Sequence, residues 1–482
     1  MMKGASCMDN PRKMLLTALI FSVIICCERS FASSKSIFER HQMYLSTKGV
    51  DGSANRLTFI GTFMRSLSSR SSSSSTSTSG QKITSNQGHG QQQPFSQWSK
   101  LGGSFLGGLL LLFSKAFPSL ASPFQPRPAP ANSGKPYFEG WFLRTVDHGN
   151  NASFSLIIGS LKTAEASNYT QHYVALSYLD KEGNTQSFHS FPSAESVEIL
   201  VDGVQVEKIP DSSGDPSFVW RSSEVGELMI NKSQGSMSFC LPEIAINATF
   251  MNREPWSKDR PNEDGPEGWI SKASFLLPCH YFVHSLASPT SYTMKITNGS
   301  GELSDKIIHG KGHTHMEANY GDSFPEGWSW AQGVSEDGKI QFILTGGKFV
   351  IGPFTTNTWI IGFRSEAYQL NYRTTDCFNS IKANVSCTTK ELHLVATSPL
   401  HPHITFSIDI CVAPEKEFSE PIYVPTKTGF SDCPGCIESY AANAKVRIHE
   451  HNTLVEEIHL PHSALEFGGI FQYTTSRENN PV

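Results

Sequence analysis

Trp330-Ala331-Gln332-Gly333-Val334 and Ile340-Gln341-Phe342-Ile343-Leu344 are two β-forming runs joined through Ser335-Glu336-Asp337-Gly338-Lys339. Asp-Gly between such runs is a strong hairpin signal, because the tight turn needs positive φ, which these two residues tolerate. The same grammar recurs upstream. Tyr292 to Ile296 meets Asn298-Gly299, and Leu228 to Ile230 passes Gln234-Gly235 into Met237 to Leu241. Val197 to Val201 turns at Asp202-Gly203 into Val204 to Ile209, and Tyr173 to Leu179 runs into Lys181-Glu182-Gly183-Asn184. Downstream, Ile404, Phe406, Ile408, Ile410 and Val412 alternate with mostly polar or small residues, the mark of a strand with one buried face. No helical period of comparable length appears. The body of the chain is therefore expected to be all-β, built as antiparallel barrels or sandwiches, two of them. Glu139-Gly140-Trp141 near its start and Glu326-Gly327-Trp328 much later form an internal echo consistent with two units, with Glu267-Gly268-Trp269 as a third copy in a Pro/Asp-rich loop.

Bulk composition agrees. With 482 residues there is length for two or three domains, and a net charge of −5 excludes a strongly basic nucleic-acid footprint. Charged residues are only 17 % of the chain, which suits short strands and tight turns better than a helical bundle.

Ahead of the body the sequence reads as targeting and linker. Residues 1–32 have the form of a signal peptide: Lys3, Arg12 and Lys13, an apolar run from Met14 to Cys27, then Ser30-Phe31-Ala32 as a small-residue cleavage site. Residues 33–135 form a Ser/Thr-rich segment whose acids up to residue 100 are Glu39 and Asp51, expected to be a disordered linker or a transit-like peptide. Signal plus transit-like stretch would fit a plastid reached through the secretory route; signal plus linker would fit the cell exterior. The apolar stretch at 101–124 is broken by Lys115 and Pro118, so a peripheral membrane contact or packing on the body is expected rather than a full span. Of ten cysteines, Cys7, Cys26 and Cys27 fall in the leader. The odd number that remains leaves at least one thiol unpaired, and Cys433-Pro434-Gly435-Cys436 reads as a loop disulfide or a plain turn.

The residues with chemistry cluster around one segment. In a strand, His313, His315, Glu317 and Asn319 would share a face. Two imidazoles and a carboxylate resemble a metal triad, yet no fourth ligand is evident and no metal is expected. Trp328 and Trp330 would share a side of the next strand, with Phe324 near them, as barrel filling or as a pocket wall able to shelter a cation.

The run Glu317-x-Asn319-Tyr320-Gly321-x-x-Phe324-Pro325-x-x-Trp328-x-Trp330-x-Gln332 resembles the tocopherol cyclase family, which carries Glu-Lys-Asn-Trp-Gly, Phe-Pro and Trp-x-Trp-x-Gln. Pro136-Tyr137-Phe138-Glu139-Gly140-Trp141-Phe142 resembles the family's opening Phe-Glu-Gly-Trp-Tyr-Phe, Pro278-Cys279-His280-Tyr281 its Pro-His-Trp element, and Leu465-Glu466-Phe467-Gly468-Gly469 its closing Leu-Glu-x-Gly-Gly. Tyr320 stands where the family has Trp, Phe142-Leu143-Arg144 replaces Tyr-Phe-Lys, and Cys279 splits the Pro-His pair. The resemblance implies two tandem lipocalin-like antiparallel β-barrels, at 136–305 and 306–474. It also implies a cyclase that closes a chromanol ring by adding a phenol hydroxyl to a prenyl double bond of a quinol. Protonating a trisubstituted alkene gives a tertiary cation, so such a site needs a positioned acid and no cofactor. Glu317 is the first candidate acid and Glu139 the second, with Glu466 a third. Trp141, His280, Asn319, Tyr320, Phe324, Trp328 and Trp330 are the candidate walls for an apolar prenylated quinol. The competing readings are a non-catalytic carrier of a prenyl lipid and a double-bond hydratase.

Overall fold

The computed structural model describes residues 137–473 apart from 163–170, 181, 202–203, 206–217, 232, 259–264, 269, 272–276, 297–306, 352–353, 377, 420 and 427–428. The expected signal peptide and the segment at 33–135 lie outside the described residues.

Alternating, turn-punctuated sequence becomes strands throughout, and no α-helix occurs among the described residues. The first unit comprises β1 (Tyr137–Asp147), β2 (Ala152–Lys162), β3 (His172–Leu179), β4 (Thr185–Ser190), β5 (Val197–Val201), β6 (Val204–Gln205), β7 (Phe218–Ser222), β8 (Gly226–Ile230), β9 (Gln234–Cys240), β10 (Ile244–Met251), β11 (Cys279–Ile296) and β12 (Ile308–Gly321). The second comprises β13 (Gly327–Val334), β14 (Gln341–Ile351), β15 (Phe354–Arg364), β16 (Gln369–Arg373), β17 (Ser380–Ser386), β18 (Glu391–Ser398), β19 (His401–Val412), β20 (Ile422–Pro425), β21 (Phe430–Glu450) and β22 (Thr453–Gly469). All strand pairings among the described residues are antiparallel. They make a 12-stranded sheet in the order β4-β3-β2-β1-β12-β11-β10-β9-β8-β7-β5-β6 and a 10-stranded sheet in the order β16-β15-β14-β13-β22-β21-β19-β18-β17, with β20 on β21. Curled around their own cores, these are the two tandem lipocalin-like units expected.

The sheets share one plan. The opening strand of each, β1 or β13, pairs both with its successor and with the last strand of its own unit, β12 or β22. The Glu-Gly-Trp echo falls at these two opening strands, inside β1 for the first copy and at the start of β13 for the second. The unit boundary, however, lies later than 305/306. Strand β12 is hydrogen-bonded on both edges to β1 and β11, so residues up to Gly321 belong to the first sheet and the second begins at Gly327. Two local differences from the sequence reading follow the same logic. Gln234-Gly235 is strand rather than turn, because Asn231 Oδ1 accepts the amides of Ser233 and Gln234 and makes the turn earlier. Cys433 to Cys436 lies within β21, and Cys436 is a buried free thiol.

Each sheet folds its inner face over an apolar core. Trp141, Leu143, Leu156, Phe218, Trp220, Phe239, Phe250 and Met316 belong to the first core, and Ala331, Phe342, Phe363, Phe406, Ile408 and Phe467 to the second. Phe406 is completely buried, with ring centroids 5.5 Å from Phe363 and 5.8 Å from Tyr372. Phe406→Ala should therefore cost roughly 3–5 kcal/mol of stability, read from urea unfolding. Because Phe406 belongs to the second core and not to the clusters described next, activity per folded molecule should be retained.

Candidate functional site between the two sheets

Side chains alternate along a strand, so what does not point into a barrel core points outward, and here part of one outward face meets part of the other. Phe142, Val283 and Leu286 of the first sheet join Trp330, Ile343, Tyr440 and Ala464 of the second in a shared apolar cluster. Tyr173 and Ala175 join Trp328, Ile422, Val424 and Cys436 in another. Between these patches the seam carries ionisable groups.

Strand register lines them up. In the second sheet Glu438 pairs with Glu466, and Glu466 pairs with Trp330, so three neighbouring strands present these side chains in one row. In the first sheet Phe142 pairs with Glu317, and one step along the same face Arg144 pairs with His315. Glu317 Oε2 accepts from Tyr281 Oη at 2.6 Å and Trp330 Nε1 at 3.0 Å, and it lies 2.8 Å from His315 Nε2. The Trp330 bond crosses the seam and ties the two sheets together at this carboxylate.

Glu438 and Glu466 face one another across β21 and β22, and each carboxyl acts on the other's ionisation. Glu438 also accepts from the Tyr440 hydroxyl, and Glu466 accepts from Trp328 Nε1. Burial pushes the Glu466 carboxyl well above the ordinary glutamate range, and the adjacent Glu438 charge pushes it further. Burial also raises Glu438, against the opposing pull of the Tyr440 hydrogen bond and the Arg144 charge. Arg144, fully buried, lies over the Tyr440 ring at 4.8 Å and donates to Gln332 Oε1 and to the His462 carbonyl. Its own pKa falls to about 10 through burial. Tyr281 and Tyr440 are pushed well above the usual phenol range, by burial first, so both serve as donors.

Glycine makes room for one of these contacts. A Cβ on Gly468 would sit 2.0–2.4 Å from the Trp328 ring, so only glycine lets that indole lie across β22 toward Glu466. Phe324 packs on Trp328 at 5.1 Å and on Phe138 at 4.9 Å, closing this end of the seam.

The sequence-derived candidates thus divide between two faces. Glu317, Trp328, Trp330 and Phe324 come together in the seam, and Asn319 shares the strand face of Glu317 near its edge. Trp141 instead stacks on Phe218 at 5.1 Å inside the first core. Glu139 pairs with Tyr320, and both alternate onto that opposite face. His280 stacks on Tyr320 at 5.0 Å, with Nδ1 3.3 Å from Glu267 of the third Glu-Gly-Trp copy. Glu438 and Arg144 were not singled out by sequence. An acid two residues before Tyr440 in an apolar strand was the only signal, and its partnership with Glu466 exists solely through β21–β22 register. Among the described residues no group of three or more His, Cys, Asp or Glu is placed to hold a metal ion.

In fold the chain is similar to CghA. The crystal structure of CghA aligns with a TM-score of 0.50 at 10% identity, covering 73% of this chain and 93% of that one. CghA with Sch210972 gives 0.47 at 11% identity, covering 69% and 88%. Kievitone hydratase from Nectria haematococca gives 0.39 at 12% identity, covering 74% and 94%. At such identities the likeness to CghA is one of fold. No family model and no curated protein matches the sequence.

A carboxyl whose pKa is raised on folding keeps its proton in the native state where the unfolded chain has released it. Stability therefore falls as pH rises from the unfolded glutamate value, about 4.3, toward the raised native one. Glu466→Gln reproduces the neutral carboxyl in shape and can still accept from Trp328. It should raise the thermal midpoint at pH 7–8 by about 2–4 °C, and the gain should vanish near pH 4. A loss of stability at neutral pH would show instead that Glu466 is held as an anion.

Proposed function

We propose that this protein is a tocopherol cyclase-like isomerase, closing a ring by acid-initiated addition of a phenol hydroxyl to a prenyl double bond of an apolar quinol. The observation that carries the reading is the pairing of the Glu438 and Glu466 carboxyls across β21 and β22 beneath Trp328, with the pKa of both pushed up by removal from water. Alkene protonation asks for a carboxylic acid that remains protonated near neutral pH, and burial beside a like charge supplies it.

The proton donor in this scheme is Glu466 rather than Glu317. Glu317 Oε2 is occupied as an acceptor by Tyr281 and Trp330, whereas removal from water and the neighbouring Glu438 push the Glu466 carboxyl toward its protonated form. Protonation of the alkene leaves a tertiary cation and a Glu466 carboxylate beside Glu438. The indole of Trp328, with Trp330 and Phe142 in edge contact at 5.0 Å, offers ring faces to that cation in a site shielded from water. Arg144 offsets the charge left on the pair. Ring closure gains further from holding hydroxyl and cation in one molecule. Glu139, Trp141, His280 and Tyr320 take no part in this scheme, since they lie on the other face of the first sheet.

Incubating the purified protein with a prenylated quinol and separating the products by chromatography tests this directly. A chromanol of unchanged mass is expected, and Glu466→Gln should lower its rate of formation at least ~100-fold. A product heavier by one water would identify a hydratase, and tight binding without conversion a carrier. Wild-type turnover by Glu466→Gln would remove the pair from the chemistry.

A further inference from the structure

Arg144 and His315 face one another across β1 and β12, and both are buried in the seam. Each has one nitrogen that is satisfied by nothing among the described residues: Arg144 Nε and His315 Nδ1. Their other nitrogens are engaged. The Arg144 terminal nitrogens donate to Gln332 and His462, and His315 Nε2 lies 2.8 Å from Glu317 Oε2. Buried polar atoms are nearly always paired, so two orphans on adjacent strands mark a place for a polar guest.

Their polarities define that guest. A guanidinium Nε–H can only donate. The neighbour of His315 Nε2 is a carboxylate oxygen that already accepts two other donors, so the Nε2 nitrogen carries the hydrogen in the neutral ring and Nδ1 is left as an acceptor. A donor and an acceptor carried by residues paired in register across β1 and β12 match a hydroxyl group, which accepts through oxygen and donates through hydrogen. An ether or a carbonyl satisfies only half of it.

We propose that Arg144 Nε and His315 Nδ1 form the subsite for the substrate's phenolic hydroxyl, with His315 the base that removes its proton and Glu317 the residue that positions His315. The inference rests on the acid-initiated reading above and deepens it. As the oxygen–carbon bond forms at the tertiary cation, the O–H bond breaks and its proton passes to His315. The alkene has meanwhile gained one proton from Glu466, so the product has the composition of the substrate. Return of the imidazolium proton to the Glu438–Glu466 pair completes the cycle. The acid and the base thereby come from different sheets, with Glu438 and Glu466 on the second and His315 and Glu317 on the first.

Binding can test the subsite apart from turnover. A geranylated phenol and its O-methyl ether are titrated calorimetrically into the full chain, with thermal melting as a check on folding. Wild type should prefer the phenol by about tenfold or more, because the ether leaves the acceptor unpaired. His315→Gln can reach Glu317 but offers no acceptor at the Nδ1 position, and its preference should fall below about twofold. His315→Asn, whose amide oxygen lies near that position, should recover part of it. Equal affinity of wild type for phenol and ether would mean that solvent serves the two nitrogens, and would overturn the subsite. So would a preference undiminished in His315→Gln. Selective phenol binding without chromanol formation would uphold the subsite and sink the cyclase reading, while failure of both ligands to bind would remove both.

Discussion

The pairing of two carboxyls, Glu438 and Glu466, on neighbouring strands is the constraint around which the seam is arranged. Two carboxyls on neighbouring strands, deprived of water, cannot both ionise without large cost, and the surroundings divide the two roles between them. Arg144 and the Tyr440 hydroxyl favour charge on Glu438, while burial and the charge next door push the Glu466 pKa up. Such a cluster weakens the fold compared with an apolar filling of equal volume. A protein that keeps it at the junction of two otherwise oily units keeps a feature suited to chemistry.

The junction exists because the two sheets repeat a plan. Both wrap an apolar core with their inner faces and close the opening strand against the last. Their outer faces would ordinarily be solvated, as antiparallel sheets allow. Here Phe142 and Val283 on one side and Trp330, Ile343 and Ala464 on the other make part of each outer face apolar, and the units dock there. The Trp330 indole donating across to Glu317 then fixes the polar groups of one sheet against those of the other. In the proposed scheme the acid and the rings of Trp328 and Trp330 come from the second unit, while the first contributes Phe142, imidazole, guanidinium and carboxylate.

The repeated tripeptide shows how little a motif says about facing. Trp141 and Trp328 both lie on the opening strands of their units, yet Trp141 fills the first core and Trp328 lies in the seam. One residue of phase along a strand transfers a side chain to the opposite face, so identical letters perform different tasks. The same phase separates Glu139 from Glu317, although both open or close a family-like block. Conversely, Glu317 and Trp330 read as one continuous segment, but the link after Gly321 carries the chain from one sheet to the other and makes them opposing partners.

By itself the sequence determined that this chain makes antiparallel strands in two like units, since period-two apolar patterning and Asp-Gly turns are local properties. It also marked Glu317, Phe324, Trp328 and Trp330, because large aromatics and an acid concentrated in one segment are visible without knowing any pairing. Only the tertiary structure decided which side of each strand faces the other unit, because facing depends on register and a shift of one residue inverts it. It alone joined Glu438 to Glu466, whose meeting depends on how β21 lies against β22. And it alone showed the unpaired nitrogens of Arg144 and His315, since whether a polar atom has a partner is a fact about every strand around it.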